Sequence, residues 1–328
     1  MVRAKFGGFS GNQLTEAILS AVSGIEFKSF EAGVHSRDEA KKLSLRRETV
    51  SFLESSGHEY VPNGSPDVCI LVDAENGFVE AIPQSVFVEG AYNKLKRGIA
   101  QTFHYCYKCK GRGCTFCSGK GKLSELSVQE AIDSVLLSAF GSRESRFHGC
   151  GREDADVLML GKGRPFVFEV IEPQKRSLAL RPLENIVNSV FLGKVQVHGL
   201  KYCKKERVAE LKNTEFGKIY STKCSAKKPV SREALAGLVG KQFHVLQQTP
   251  ERVEKRRAMK DREKSAQISK AELLASGSFH VEILASHGLY IKEFVSGDNG
   301  RTRPSVSSLL GIECHCDELD VLEIVFGK

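Results

Sequence analysis

The order of helix-like and strand-like segments restricts the possible folds of this chain more than any other feature. Two amphipathic helical patterns, 12–22 and 38–55, precede strand-like runs at 67–72 and 78–82. Beyond residue 141 the chain is strand-rich, with helical patterns at irregular intervals. Because βα units do not repeat, we predict an α+β protein with a mixed, largely antiparallel sheet and a smaller N-terminal α+β unit.

The spacing of apolar residues predicts the individual segments. One helix is marked by a capping-box pattern in which Ser127 precedes Glu130, and its apolar face ends at Gly141. The basic stretch 92–98 is predicted to be a connector. The later strands are predicted at 157–160, 166–171, 195–197, 218–224, 243–248, 279–285 and 319–325. The later helices are predicted at 183–191, 207–211, 231–239 and 305–310.

Length and composition set broad limits on the class of protein. A chain of 328 residues is long enough for two domains with separate cores. Its longest apolar runs, such as 68–72, have the length of a strand, which argues against a membrane-spanning helix. The first residues lack the apolar region of a secretion signal, so we expect a cytoplasmic protein.

Four of the ten cysteines lie close together, as Cys106-x2-Cys109-x4-Cys114-x2-Cys117. Two Cys-x-x-Cys pairs can place four thiolates around one tetrahedral Zn²⁺. In a reducing compartment this interpretation is favoured over disulfides. An unmetallated redox pair or a chance spacing is the alternative. We predict a structural zinc site at these four cysteines.

The surplus of positive charge is confined to one segment. The chain carries a formal net charge of +8. Segment 201–262 has 17 Lys+Arg and 7 Asp+Glu, a net of +10, so the remainder carries −2. The densest part is 252–260. A solvated helix face often has this composition, but so does a surface that follows a phosphate backbone.

The segment 147–157 has the most unusual local sequence, since two glycines and an Arg-Glu-Asp run precede a strand-like segment. Such a loop carries polar side chains to the end of a sheet, where sites are often built. An arginine such as Arg152 favours the ionised form of a neighbouring carboxylate, which can act as nucleophile or general base. Asp154 and Asp156 are both candidates, because period-two geometry places them on the same side of a strand. An aspartate before a strand is also a common turn residue.

Several spaced motifs resemble one known family. The loop 151–154 and its continuation 160–166 closely resemble the active-site segment of the archaeal and eukaryotic tRNA pseudouridine synthases that act on the T arm. Because separate motifs agree in order over roughly 65–326, the resemblance is specific. The further matching stretches are 248–258, 290–295, 297–306 and the cysteine segment with its trailing Gly-Lys-Gly-Lys.

The resemblance implies a function and a set of site residues. The protein would isomerise uridine to pseudouridine at tRNA position 54, position 55 or both, with no cofactor in the chemistry. Asp154 would be the catalytic aspartate, either attacking the nucleoside or removing a proton from the sugar. Tyr220 would stack on the target base, Lys292 would be the basic partner of the aspartate, and Leu310 would line the base pocket. Arg152 is the arginine of the same motif.

The expected partner is a folded tRNA, bound by a monomer without a nucleotide cofactor, since no Walker-type or dinucleotide-binding fingerprint is present. Cations near 287–304 can bind phosphate or pair with a carboxylate, although a solvated surface loop has the same composition. The predicted RNA contacts are Arg252, Lys255, Arg256, Arg257, Arg301 and Arg303.

The N-terminal region departs from the family, whose members commonly have a longer one with an additional Cys-x-x-Cys pair. The order of helices and strands in 1–64 nevertheless resembles an RNA-binding THUMP module. We therefore predict an N-terminal THUMP-like RNA-binding domain (1–100), a zinc knuckle and connector (101–125), and a pseudouridine synthase catalytic domain (126–328).

Two rival functions make different demands on the sequence. A tRNA-binding protein with a degenerate synthase domain would not need Asp154, Tyr220 and Lys292 to be intact. A methyltransferase with a THUMP-like module would need a glycine-rich cofactor loop at the end of a strand in a βα unit, and none is evident. Both rivals are therefore disfavoured.

Overall fold

The computed structural model describes residues 2–5, 11–275 and 277–326. The described strands form two sheets, each with its own hydrophobic core. The helices are α1 (Gly11–Val22), α2 (Glu39–Ser55), α3 (Val128–Phe140), α4 (Leu180–Val190), α5 (Glu206–Asn213), α6 (Arg232–Ala236), α7 (Ile291–Ser296) and α8 (Val306–Leu310). The strands are β1 (Val2–Lys5), β2 (Ser29–His35), β3 (Glu59–Tyr60), β4 (Val68–Asp73), β5 (Phe78–Pro83), β6 (Val86–Lys94), β7 (Glu144–Gly149), β8 (Leu158–Ile171), β9 (Val195–Cys203), β10 (Phe216–Ala226), β11 (Gln242–Gln247), β12 (Arg262–Leu273), β13 (Phe279–Ala285), β14 (Thr302–Arg303) and β15 (Cys314–Phe326).

The N-terminal unit is a five-stranded sheet in the order β1-β5-β4-β2-β3. Its core contains α1 and α2 residues such as Leu14, Ile18 and Leu53, together with strand residues such as Phe30. The carboxylate of Asp38 accepts hydrogen bonds from the first backbone N–H groups of α2, which fixes where that helix begins. The two helices and the strands predicted for this region are confirmed.

The larger sheet has ten strands, in the order β14-β11-β12-β13-β10-β15-β8-β6-β9, with β7 paired to β8. Among its described pairs β8 and β15 run parallel and the others antiparallel. The predicted mixed, largely antiparallel sheet is confirmed. Helix α3 begins at the predicted cap, since Ser127 Oγ accepts from the Glu130 N–H, and it ends at Gly141.

The stretch predicted as a connector is instead part of a central strand. β6 lies between β8 and β9, so the prediction for 92–98 was wrong over Tyr92–Lys94. Lys94 is fully buried, and its ammonium donates to the carbonyls of Ile99 and Asp154 at 2.8 Å each. Lysine is rarely fully buried. A lysine-rich sequence is therefore normally evidence against a strand in the interior of a sheet. The change of sheet falls between β5 and β6, before the domain boundary expected at residue 100.

The strands β7, β12 and β14 and the short helix α7 of the larger unit were not predicted from the sequence. β12 is mostly polar, and it buries Ala266 and Ile268 on one face. β7 is also mostly polar, and α7 has only six residues, too few to show a helical period. No helix in the described part of the chain is long and apolar enough to cross a membrane.

Arg176 joins the two units. Its Nε lies 3.0 Å from Asp67 Oδ1 of the N-terminal unit. Its backbone N–H donates to Glu26 Oε2 at 2.7 Å, and its Nη1 donates to the carbonyl of Gln84 at 2.6 Å. These contacts fix the segment after β8 against the edge of the N-terminal unit.

Candidate active site

A cavity of about 390 Å³ opens where the loop before β8 meets the strands β10 and β15. Among the predicted site residues, Arg152 and Asp154 line it together with Tyr220, which lies far from them in the sequence. The cavity is also lined by Glu153, Val157, Arg164, Arg252, Val253, Arg257, Leu289, Tyr290, Ile291, Leu319 and Val321. The fold therefore gathers both charged and apolar side chains around one cavity.

Asp154 presents a half-exposed carboxylate to this cavity. Arg252 Nη1 donates to Asp154 Oδ2 at 3.0 Å, and Arg252 Nε donates to Glu293 Oε1 at 2.6 Å. Partial burial disfavours the charged guanidinium, but the hydrogen bonds and charges of Glu293 and Asp154 raise the pKa of Arg252 above its usual value. A permanently charged arginine is thus held 3.0 Å from the Asp154 carboxylate.

Lys292 has a different partner from the one expected. Its Nζ donates to Asp156 Oδ2 at 2.6 Å, and the basic partner of Asp154 is Arg252. The physical reason is local, because residues 154–157 form a turn and do not continue the strand, so the two carboxylates have separate surroundings. Burial opposes ionisation of Asp156, but Lys292 lowers the pKa of Asp156 below its usual value. Asp154 lines the cavity, whereas Asp156 does not, which favours Asp154 over the alternative carboxylate.

A buried ionic network lies beneath the loop. The Glu153 side chain, 2% exposed, accepts from the Tyr92 hydroxyl at 2.9 Å and lies 2.8 Å from Arg164 Nε and 3.6 Å from Lys94 Nζ. Burial alone would raise the pKa of Glu153, but the charges of Arg164 and Lys94 lower it below its usual value. Nη2 of Arg164 has no hydrogen-bond partner in the described part of the chain, although this side chain lines the cavity.

The segment 92–101 holds the backbone of the loop 151–157, which carries Asp154. Lys94 donates to the carbonyl of Asp154 at 2.8 Å, and Gln101 Nε2 donates to the carbonyl of Gly151 at 2.9 Å. Burial lowers the pKa of Lys94, and the charge of Glu153 opposes that shift. Sequence reasoning missed these residues, because their partners are backbone carbonyls some 50–60 positions away.

Tyr220 lies on β10 with its side chain almost fully buried. Burial, only partly offset by the charge of Arg164, raises the pKa of the Tyr220 phenol to about 12. Its hydroxyl therefore stays protonated at neutral pH. Tyr220 lines the cavity, and an aromatic ring has a flat apolar face.

Of the remaining predicted residues whose side chains the structure describes, Arg257 lines the cavity and Leu310, Arg301 and Arg303 do not. Leu310 packs against the main core, and the apolar lining comes from other residues. Arg257 lines the cavity, whereas Arg301 Nη1 donates to Glu254 and Arg303 Nε donates to the Gly300 carbonyl. The side chains of Lys255 and Arg256 lie outside the described residues.

The family of the chain follows from its match to known proteins. A family model described as Pus10, C-terminal, matches residues 87–325. The chain belongs to the Pus10 family. The resemblance seen in the spaced motifs is therefore confirmed, and it places the chain among the isomerases.

Curated Pus10 relatives from archaea cover most of the chain, and each is named tRNA pseudouridine synthase Pus10. The Korarchaeum cryptofilum protein is 35% identical over 96% of this chain and 90% of its own length. The Archaeoglobus fulgidus protein is 37% identical over 95% of this chain and 91% of its own length. The Methanothrix thermoacetophila protein is 37% identical over 87% of this chain, but the match spans 64% of that relative.

Likeness to solved structures is weak. The crystal structure of an archaeal box H/ACA Nop10-Cbf5 complex gives a TM-score of 0.29 at 11% identity, over 59% of this chain and 42% of that one. Such a score is too low to add to the Pus10 assignment, which rests on sequence.

In this Pus10-family chain the four clustered cysteines come together. Their Sγ atoms all lie within 4.8 Å of one another, and three of the Sγ–Sγ distances are 3.7–3.8 Å. A tetrahedral Zn²⁺ with Zn–S bonds of about 2.3 Å requires Sγ–Sγ distances of roughly 3.8 Å. The donor set and its spacing therefore fit a tetrahedral metal ion.

The knuckle, residues 103–122, contains an internal repeat that the sequence analysis did not find. The pattern Cys-x-x-Cys-x-Gly-x-Gly occurs at 106–113 and again at 114–121. In each half the last glycine donates its N–H to the second cysteine, from Gly113 to Cys109 Sγ and from Gly121 to Cys117 Sγ, both at 3.2 Å. A side chain at Gly113 or Gly121 would overlap backbone of the other half, and both have positive φ, so the repeat requires glycine there.

Proposed function

We propose that this protein isomerises uridine to pseudouridine in the T arm of tRNA, at position 54, position 55 or both, with Asp154 as the catalytic group. The observation that carries the proposal is the Asp154 carboxylate, which faces the cavity and is paired with Arg252 at 3.0 Å. Membership of the Pus10 family and the names of its curated relatives support the reaction and the substrate class.

The reaction requires one ionised carboxylate and residues that position the uracil base. The N1–C1′ bond breaks, the uracil turns, and a C5–C1′ bond forms. C5 then loses its hydrogen as a proton and N1 gains a proton, so no electrons are gained or lost overall. An ionised Asp154 can attack the nucleoside or remove a proton from the sugar, and both routes need the charged form. Arg252, held by Glu293, would orient that carboxylate through an ion pair.

The other cavity residues would hold the base while it turns. The ring of Tyr220 offers a surface for stacking, and its hydroxyl remains a proton donor at neutral pH. The free N–H groups of Arg164 Nη2 would donate to an oxygen of the substrate. The target nucleotide must leave its stacked position at an expense of a few kcal/mol. Contacts from the basic segment 201–262 to the phosphates would offset this expense.

The proposed activity is tested with an unmodified tRNA transcript and no added cofactor. We expect pseudouridine at position 54, position 55 or both when the product is mapped by carbodiimide modification and primer extension. Transcripts with cytidine at one of the two positions assign the site. If the protein binds tRNA but forms no pseudouridine, the result would support a degenerate synthase. If it forms methylated tRNA only when S-adenosylmethionine is added, the result would support a methyltransferase.

We also propose that Cys106, Cys109, Cys114 and Cys117 hold a structural Zn²⁺, since their geometry fits a tetrahedral ion. The purified protein should then contain about one zinc per chain, and Cys109→Ser should lower this to below roughly 0.2. Elemental analysis under reducing conditions measures the metal, and thermal unfolding should show a lower transition for the variant. Cys203→Ser, outside the cluster, is the matched control and should keep the zinc. Full metal content in Cys109→Ser would contradict the assignment.

A further inference from the structure

The knuckle exposes aromatic side chains beside its cysteines. Tyr107 is 67% exposed and Phe116 is 48% exposed, and their ring centroids lie 5.3 Å apart. Lys108 Nζ lies 4.2 Å from the centroid of the Phe116 ring. Tyr107, Lys108 and Phe116 thus form one mixed apolar and cationic surface, here called the knuckle face.

The knuckle face is part of a strongly basic module, the knuckle of residues 103–122. Residues 103–122 contain five Lys+Arg and no Asp or Glu. The module remains positive even if four thiolates and one Zn²⁺ contribute about −2. In the described residues Lys108, Lys110 and Arg112 form no ion pair with a carboxylate, whereas Lys120 lies 3.4 Å from Glu125. The three cations without an ion pair therefore favour binding of a polyanion to this module.

The module is anchored next to the loop 151–157, which carries Asp154. The backbone N–H of Ala100 donates to Leu126 O at 3.1 Å, which closes the base of the knuckle. Gln101, the next residue, donates to the carbonyl of Gly151 at 2.9 Å. The six steps along the backbone from Gln101 to Tyr107 can span at most roughly 22 Å. A nucleotide near the cavity is therefore within reach of the knuckle face.

We propose that the knuckle face is an RNA-binding surface on which an unpaired nucleobase of the substrate tRNA stacks. The proposal deepens the proposed function, on which it rests for the identity of the RNA. Exposed aromatic rings interleaved with cations are the combination that single-stranded nucleic acid recognises, because each base offers a flat π surface and each phosphate a negative charge. A paired duplex presents phosphates but hides the faces of its bases, so it engages the cations alone.

The test compares two double variants of the full chain. Tyr107→Ala with Phe116→Ala removes both rings, whereas Tyr107→Phe with Phe116→Tyr keeps them. Zinc content and thermal unfolding show whether each variant retains a folded knuckle. Dissociation constants are measured by fluorescence anisotropy for a tRNA transcript and for a blunt duplex of the T-stem sequence. Pseudouridine formation is measured in single turnover at saturating enzyme.

We expect the alanine pair to weaken tRNA binding by about 10- to 100-fold, and the ring-keeping pair to bind like the wild type. Duplex affinity should be unchanged, and the single-turnover rate at saturation should remain within about 3-fold, since a surface outside the cavity acts on binding. Wild-type tRNA affinity in the alanine pair would overturn the proposal. An equal loss on the duplex would also overturn it, because stacking would not be involved.

A second measurement does not depend on a folded variant. Photocrosslinking of the wild type to tRNA containing 4-thiouridine should yield a peptide that includes Tyr107 or Phe116. Crosslinks confined to other segments would contradict the proposal. If the wild type forms no pseudouridine but the alanine pair still loses tRNA affinity, the proposed reaction fails and the RNA-binding surface stands.

Discussion

Asp154→Asn should reduce pseudouridine formation by at least about 10³-fold, because the amide can neither attack the sugar nor accept its proton. Asparagine has the same shape and can still accept the hydrogen bond from Arg252, so tRNA affinity should change by less than roughly 3-fold. Forming the C5–C1′ bond releases the hydrogen at C5, so the rate is measured as tritium release from tRNA labelled at C5 of uridine. Anisotropy with the same tRNA measures binding.

Asp156→Asn is the matched control, since Asp156 lies two residues away and is paired with Lys292 outside the cavity. We expect this variant to keep its activity within about 10-fold of the wild type. An inactive Asp156→Asn beside an active Asp154→Asn would reverse the assignment of the carboxylates. Loss of activity in Asp154→Asn together with loss of tRNA binding would point to a structural role instead.

Glu153→Gln should have the largest effect on stability. The variant leaves Arg164 and Lys94 buried without a compensating negative charge. Removing one partner of a buried ionic network lowers the free energy of unfolding by about 3–5 kcal/mol. For a unit of this size the melting temperature should fall by roughly 6–20 °C. Urea and thermal unfolding at neutral pH measure both quantities. Glu125→Gln, at a surface ion pair, is the control and should change stability by less than about 1 kcal/mol.

The effect of Glu153→Gln should depend on pH in a defined direction. The folded-state pKa of Glu153 is below its usual value of 4.5. Its contribution is therefore complete above the unfolded-state pKa and is lost as the pH falls through the folded-state pKa. The difference in unfolding free energy between the wild type and the variant should be constant from neutral pH to about pH 5 and should shrink below it. A difference that grows in acid would contradict the ionised state of buried Glu153.

The buried network links stability to the site. Lys94 contacts both the Glu153 carboxylate and the carbonyl of Asp154, so the Lys94–Glu153 pair also fixes the backbone of the loop that carries Asp154. If this link is correct, Glu153→Gln should lower the single-turnover rate even at temperatures where the variant is fully folded. The same network explains why a lysine is tolerated at the end of a central strand.

Local patterns were sufficient for much of the fold. The helix α3 was predicted with its first and last residues, because Ser127 and Glu130 form a cap through adjacent backbone atoms. The four cysteines were recognised as one cluster because their spacing is short. Asp154 was identified by the resemblance of its motif, and its assignment as catalytic remains a prediction.

Other features depend on contacts between distant residues. The partner of Asp154 is Arg252, 98 residues away, and Lys292 is paired with Asp156 because the loop turns before β8. Strand β6 was missed because the charge of Lys94 is neutralised only after the chain has folded.

The sequence by itself determined the family, the class of sheet, the cysteine cluster and the candidate carboxylate, since each depends on residue type and short spacing. Only the tertiary structure decided which cation meets Asp154, what lies beneath its loop and which side of the knuckle is exposed. The physical reason is that burial and ion pairing are properties of surfaces brought together by folding, and residues far apart in sequence supply those surfaces.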